Sequence, residues 1–168
     1  GTRSVTSLFE GAPQAAVAIG AAFYAVVRHG AAGVSNLLIR AGSPRSYYVA
    51  IEGADQRSAI TAVCVLPRGT PEGTRLMLDR EFTVIANQPV AFTLLSSRER
   101  TDVANSIVTF MTDEEVYRHA PLVTSLRYGQ RSRRVPVKVR LSLLFTEVGT
   151  IELWCESVTT QHRWRLQF

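Results

Sequence analysis

Val135-Pro136-Val137-Lys138-Val139-Arg140-Leu141-Ser142-Leu143-Leu144-Phe145 is the stretch that decides the fold. Val135, Val137, Val139, Leu141, Leu143 and Phe145 fall on one side of an extended chain. Pro136, Lys138, Arg140 and Ser142 fall on the other. Strict period-two alternation puts one face of a strand in a core and the other in water. Thr146-Glu147-Val148-Gly149 turns the chain, and the pattern resumes at once. Ile151, Leu153 and Cys155 alternate with Glu152, Trp154 and Glu156, and Trp164, Leu166 and Phe168 alternate with Arg163, Arg165 and Gln167.

Working upstream, the β signal reaches back to Ser46. Tyr47, Val49 and Ile51 alternate with Tyr48, Ala50 and Glu52. Ala59 to Leu66 is a mostly apolar run ended by Pro67-Arg68-Gly69. Arg75 to Leu78, Glu81 to Ala86, Val90 to Leu95, Ser106 to Met111 and Leu122 to Arg127 read as further strands. Asn87-Gln88-Pro89 reads as a turn, and Asp113 to His119 as a short helical turn. About eight strands at this spacing, preceded by one helix, predict a mainly β chain built as an antiparallel β-sandwich.

Ahead of residue 46 the period changes. Pro13 sits where a first-turn proline belongs and Gly30 where a helix stop belongs. Between them, Ala15 to Val27 is apolar on every face, and such a helix needs cover on every face. That need implies a partner surface, either a larger upstream domain or a second copy of the chain. Ala15 to Val27 is shorter than the roughly 20 residues of a membrane span. With Glu10 before it and Arg28 and His29 after it, it does not read as a signal-peptide core. Residues 31–45 read as a linker, broken by Gly33, Gly42, Ser43 and Pro44. The expected organisation is therefore residues 1–30, linker 31–45, and a β body over 46–168.

The chain has 168 residues, 46% of them apolar and 20% charged, with a net charge of +5. That is enough chain for a core without staples. Lys138 is the one lysine, and the arginines are scattered. Arg131, Arg133 and Arg134 make the single tight cluster and read as a solvated hairpin loop, so neither a nucleic acid nor a membrane is the expected partner. Cys64 and Cys155 sit in apolar strand patterns as small hydrophobes, which suits a reducing cytoplasm. Trp154 abuts Cys155, which departs from an immunoglobulin pattern. His29, His119 and His162 lack ligand-spaced companions. Ser96-Ser97 and Thr112-Asp113-Glu114-Glu115 read as polar loops, and no nucleophile and base stand out, so no enzymatic activity is expected of this chain.

Ala12-Pro13-Gln14-Ala15-Ala16-Val17-Ala18-Ile19-Gly20-Ala21-Ala22 resembles the last helix of the ATPase domain in the seventy-kilodalton heat-shock chaperones. That family typically reads Asn-Pro-Asp-Glu-Ala-Val-Ala-Ile-Gly-Ala-Ala there, so Ala12, Gln14 and Ala15 depart from it. Leu37-Leu38-Ile39-Arg40 resembles the family's leucine-rich linker. Ile51-Glu52 is similar to the end of the first sandwich strand, and Ala62 to Thr70 is a loose counterpart of the strand that follows. Asn87-Gln88 and Glu99-Arg100 match a stretch that opens Asn-Gln and closes Glu-Arg at the same separation. Val148 to Leu153 resembles a late hairpin. The look is of a divergent bacterial member.

The resemblance implies a substrate-binding domain. Two loops at one end of the sandwich would hold extended apolar segments of unfolded proteins through main-chain hydrogen bonds and one side-chain pocket. Carried over by position, the first loop is Ile51, Gly53 and Ala54. The second is Gln88, Val90, Ala91 and Thr93, with Ala91 lining the pocket. Leu37, Leu38 and Ile39 would couple it to an upstream ATPase domain, where ATP would bind; no cofactor is implied in this chain. Unfolded polypeptide, that ATPase domain and a co-chaperone are the implied partners. The chain departs from the family in a longer first loop, Ala54 to Ser58, and in Pro89, which lacks a backbone donor. The alternative reading of Ile51, Val90 and Ala91 is ordinary core near strand ends, in a sandwich that serves as a structural or protein-interaction domain with a degenerate groove.

Overall fold

The computed structural model describes residues 15–28, 42–52, 59–112, 115–129 and 133–166. The expectations for Pro13, His29, Gly30, Leu37, Leu38, Ile39, Gly53, Ala54 and Arg131 lie outside these residues. The chain divides into two units, Gly1–Arg40 and Ala41–Phe168. The first contains helix α1 (Ala16–Arg28). Its side chains Val17, Ile19, Phe23, Tyr24 and Val26 are exposed and Val27 is buried. No helix among the described residues is long and apolar enough to cross a membrane.

The second unit is β throughout. Its strands are β1 (Ser46–Glu52), β2 (Ile60–Leu66), β3 (Arg75–Ala86), β4 (Pro89–Phe92), β5 (Leu94–Ser97), β6 (Ile107–Phe110), β7 (Tyr117–Arg118), β8 (Leu122–Ser125), β9 (Val135–Phe145), β10 (Ile151–Ser157) and β11 (Arg163–Leu166). They form a five-stranded sheet in the order β6-β2-β1-β5-β7 and a four-stranded sheet in the order β11-β10-β9-β3. A separate two-stranded ribbon joins β4 to β8. Every pairing is antiparallel.

Alternation places the core where the sequence puts it. Val137, Val139, Leu141 and Leu143 of β9 and Leu153 and Cys155 of β10 are buried with Val49, Val63, Val65 and Leu94 of the other sheet. Side chains from two sheets in one cluster make a face-to-face sandwich. The outward residues of the four-stranded sheet carry cross-strand ion pairs, Arg140–Glu81 at 2.9 Å, Arg163–Glu156 at 3.0 Å and Arg165–Glu152 at 2.9 Å. Several of the scattered arginines are thus partners of carboxylates in a solvated ladder.

Strand β2, inside the five-stranded sheet, is covered on both faces, which explains its mostly apolar run. The sheet's outer face buries Tyr48, Ala62, Cys64, Leu95, Val108, Phe110 and Val116 as a second cluster. The Tyr48 hydroxyl donates to Asp102 Oδ2 at 2.7 Å, and Arg100 donates to the same carboxylate through Nε at 2.6 Å and Nη2 at 2.9 Å. Arg100 also lies over the Phe110 ring, 5.3 Å from its centroid. A buried phenol needs a hydrogen-bond partner, and this loop supplies it. The Arg100 hydrogen bonds hold the Asp102 carboxyl below the usual range, against the effect of burial.

Three expectations are corrected. Arg75 to Leu78 and Glu81 to Ala86 are one strand, continuous across a register shift between Met77 and Glu81. Val90 to Leu95 is divided at Thr93 between β4 and β5. Within the segment read as a helical turn, Tyr117 and Arg118 form β7, paired with Ser96 and Leu95; an open backbone edge on β5 outweighs weak local helix propensity. The body also takes in the end of the expected linker, since Gly42 bridges to Pro71 and Ser43 N donates to Thr70 O at 2.9 Å.

Cys64 and Cys155 are free and belong to different clusters on opposite faces of one sheet. Burial pushes both thiols up to about 12. In native protein at pH 8 neither should react with a thiol-specific disulfide reagent within the time in which both react in denaturant. Rapid native labelling of either would contradict this packing.

Candidate functional site

The two segments carried over from the chaperone resemblance meet at one end of the five-stranded sheet. β1 and β5 run antiparallel with Val49 opposite Leu94. One step further, Ala50 N donates to Thr93 O at 3.0 Å. Ile51, the last apolar residue of β1, therefore follows directly on the residue bonded to Thr93, the end of the second candidate segment. That segment carries the chain from β3 in one sheet to β5 in the other, with β4 lying between.

Burial separates the candidate residues. Ile51 is half-buried and packs on the main core. Gln88, Val90 and Thr93 are half-buried, whereas Ala91 is exposed. For Ile51 the core reading holds; for Ala91 it does not. The reason is register. In the ribbon, Pro89 is opposite Ser125, Val90 opposite Thr124, Ala91 opposite Val123 and Phe92 opposite Leu122. Phe92 packs on the core, and Leu122 is 3% exposed within it. The alternate positions Pro89, Ala91, Val123 and Ser125 are all exposed.

Asn87 fixes this ribbon. Its φ of 64° is in the left-handed region, which asparagine tolerates better than most residues. Its Nδ2 donates to Tyr128 O at 2.7 Å and to Arg133 O at 2.8 Å, and its Oδ1 accepts from Tyr128 N at 2.9 Å. Asn87 N donates to Leu126 O at 2.7 Å. Trp164 Nε1 donates to Arg127 O at 3.1 Å from β11. The segment after β8 is thus tied to the turn before β4 and to the four-stranded sheet. The turn at Asn87-Gln88-Pro89 was legible in the sequence; the partners of Asn87, about 40 residues downstream, left no local trace.

At the other end of β5 lies a cavity of about 330 Å³ lined by Arg45, Ser96, Ser97, Arg98, Glu99, Glu115, Val116 and Tyr117. Ser96 and Ser97 are buried strand residues, not the polar loop expected. Ser96 Oγ is 2.9 Å from His119 Nε2. The His119 ring stacks on Tyr47 at 6.0 Å and meets Tyr117 edge-on at 4.9 Å. Burial, with the charge of Arg45, lowers the His119 pKa, which favours the neutral ring. A serine hydrogen-bonded to a neutral imidazole is half of a nucleophilic pair. Ser96, however, is 1% exposed, in a strand flanked by β1 and β7. The pair secures the segment after β7 to β5. No group of histidines, cysteines and carboxylates suited to a metal ion occurs among the described residues.

No protein-family model matches this sequence, and no match to it is found among the curated proteins.

Replacing Asn87 with Ala should cost about 2–4 kcal/mol in urea unfolding, from its lost partners and the left-handed backbone. Asn87→Gly, which tolerates that φ, should cost about 1 kcal/mol less; equal losses would remove the backbone part of the explanation. The His119 shift has a sign. With the folded pKa below the unfolded value of about 6.5, stability is full above pH 6.5 and falls as the unfolded chain gains the proton first. The urea midpoint should therefore drop between pH 7 and pH 5, and less so in His119→Gln. An identical slope in that variant would show that His119 does not carry it.

Proposed function

We propose that the β body is an extended-peptide-binding module of the chaperone type its sequence resembles, holding apolar segments of unfolded polypeptide. The observation that carries this reading is the Ala50–Thr93 hydrogen bond in the β1–β5 pairing. It ties the end of β1, next to Ile51, to Thr93 at the end of the second candidate segment, and on this reading the two would cooperate as peptide-holding loops. An exposed Ala91 beside the half-buried Val90 further supports it, because a peptide side chain needs an accessible apolar contact. On this reading the parent protein is a cytoplasmic ATPase-driven chaperone, the linker Leu37–Ile39 couples the module to its motor, and α1 is covered by that motor or by a second copy.

A second reading is favoured by β8. Its pairing along β4 occupies one backbone edge of the candidate segment with the chain's own strand, as in an interaction sandwich whose groove has degenerated. Peptide binding separates the two. Labelled heptapeptides rich in Leu and Ile should raise fluorescence anisotropy on titration with the chain at micromolar concentration. Ala91→Asp should weaken that binding by about tenfold, since it sets an unpaired carboxylate against an apolar side chain. Absence of binding at high micromolar concentration, or binding indifferent to Ala91→Asp, favours the degenerate groove.

A further inference from the structure

We infer that the basic surface around Tyr128, His162 and Trp164 binds single-stranded nucleic acid, with bases stacking on the rings and phosphates meeting Arg127, Arg133 and Arg134. Ile51 and Ala91 take no part in this surface, so it holds or fails independently of the peptide-binding reading.

The charge is one-sided where two distant segments meet. From Val116 to Thr146 the chain carries no aspartate or glutamate, and neither does Ser157 to Phe168. Trp164 Nε1, on β11, joins the two segments by donating to Arg127 O at 3.1 Å. The acids nearest to β11 are those of its neighbour β10, and they are already occupied. Glu152 pairs with Arg165 at 2.9 Å and Glu156 with Arg163 at 3.0 Å. Arg127, Arg133 and Arg134 are exposed, and none of them makes an ion pair with a described residue. Cations left without carboxylates draw a polyanion from solution.

Along the sequence these arginines have a single ring among them, Tyr128. Folding adds two more. The His162 ring stacks on Trp164, with centroids 5.6 Å apart and planes 17° apart, and Tyr128 lies 5.1 Å from His162. Tyr128 and Trp164 pack partly on the main core, so the group is held in place before a ligand arrives. His162 is exposed, and Thr160 Oγ1 sits 2.9 Å from its Nδ1. Asn87 Nδ2 bonds both Tyr128 O and Arg133 O, which keeps Arg133 beside the rings. Arginines next to a rigid, partly open aromatic stack suit a strand whose bases are unpaired, because the rings take the bases and the cations take the backbone. A duplex hides its base faces, and an acidic peptide or a lipid headgroup would use the arginines and leave the stack idle.

The experiment uses the full 168-residue chain and labelled oligothymidylate and oligouridylate of about 12 nucleotides. Binding of either, read by fluorescence anisotropy, supports the inference if it weakens about 20-fold between about 50 mM and about 200 mM salt, as three phosphate contacts on a single strand require. Arg133→Ala and Arg134→Ala should each reduce that fall to about sevenfold. His162→Ala should weaken binding at least about fivefold and leave the salt dependence unchanged. Should His162→Ala lose its native circular dichroism, the two arginine variants and inorganic polyphosphate, a polyanion without bases, carry the test. Polyphosphate or phosphatidylserine vesicles bound as tightly as the oligonucleotides would show a surface that reads charge alone, and would overturn the inference. Absence of oligonucleotide binding at about 50 mM salt, or binding indifferent to His162→Ala in a folded variant, would overturn it as well.

Discussion

The backbone of Asn87 turns through a left-handed conformation, and its side chain bonds three backbone groups in the stretch from Tyr128 to Arg133. Much of the candidate site depends on that one residue. The turn ends β3 in one sheet and starts the crossing that becomes β5 in the other. The side chain holds the segment that follows β8, so β8 stays in register beside β4. Without the side-chain bonds, the ribbon would rely on its own backbone ladder and on the hydrophobic contacts of Phe92 and Leu122. Those contacts fix depth and leave sliding along the strand less constrained.

The sandwich itself was written plainly in the chain. Val135–Phe145 and Ile151–Cys155 carry period two because one face of their sheet meets the core and the other meets water, and both became long paired strands. The mostly apolar run at Ile60–Leu66 is the same physics with both faces covered. What stayed illegible was short or distant. β7 has two residues, too few to show a period. The acidic run before Tyr117 resembles the start of a helix, yet the backbone of Tyr117 and Arg118 found partners on β5 instead. Long β3 looked like two strands because exposed Asp79 and Arg80 interrupt its pattern at the register shift.

The candidate site was legible in part. The two segments touch through Ala50 and Thr93. The division of labour among them was not legible, because exposure in a four-residue strand is decided by its partner. Val123 illustrates the limit: nothing in Pro121-Leu122-Val123-Thr124 marks it as a neighbour of Ala91. Ser96 and His119 are likewise a pair made by topology, 23 residues apart. Their burial separates a fastening between strands from a reactive dyad.

The double-sided covering of β2 has a consequence for the chain before it folds. Ile-Thr-Ala-Val-Cys-Val-Leu is seven residues with high strand propensity, no charge and no proline, the composition of a segment that zips onto copies of itself. In the native body it is flanked by β1 and β6 and roofed on both faces. Arg68, exposed just past Pro67, is a gatekeeping charge at its downstream border. A nascent or heat-opened copy presents this strand naked until the late strands β9 and β10 cover the side that faces the main core.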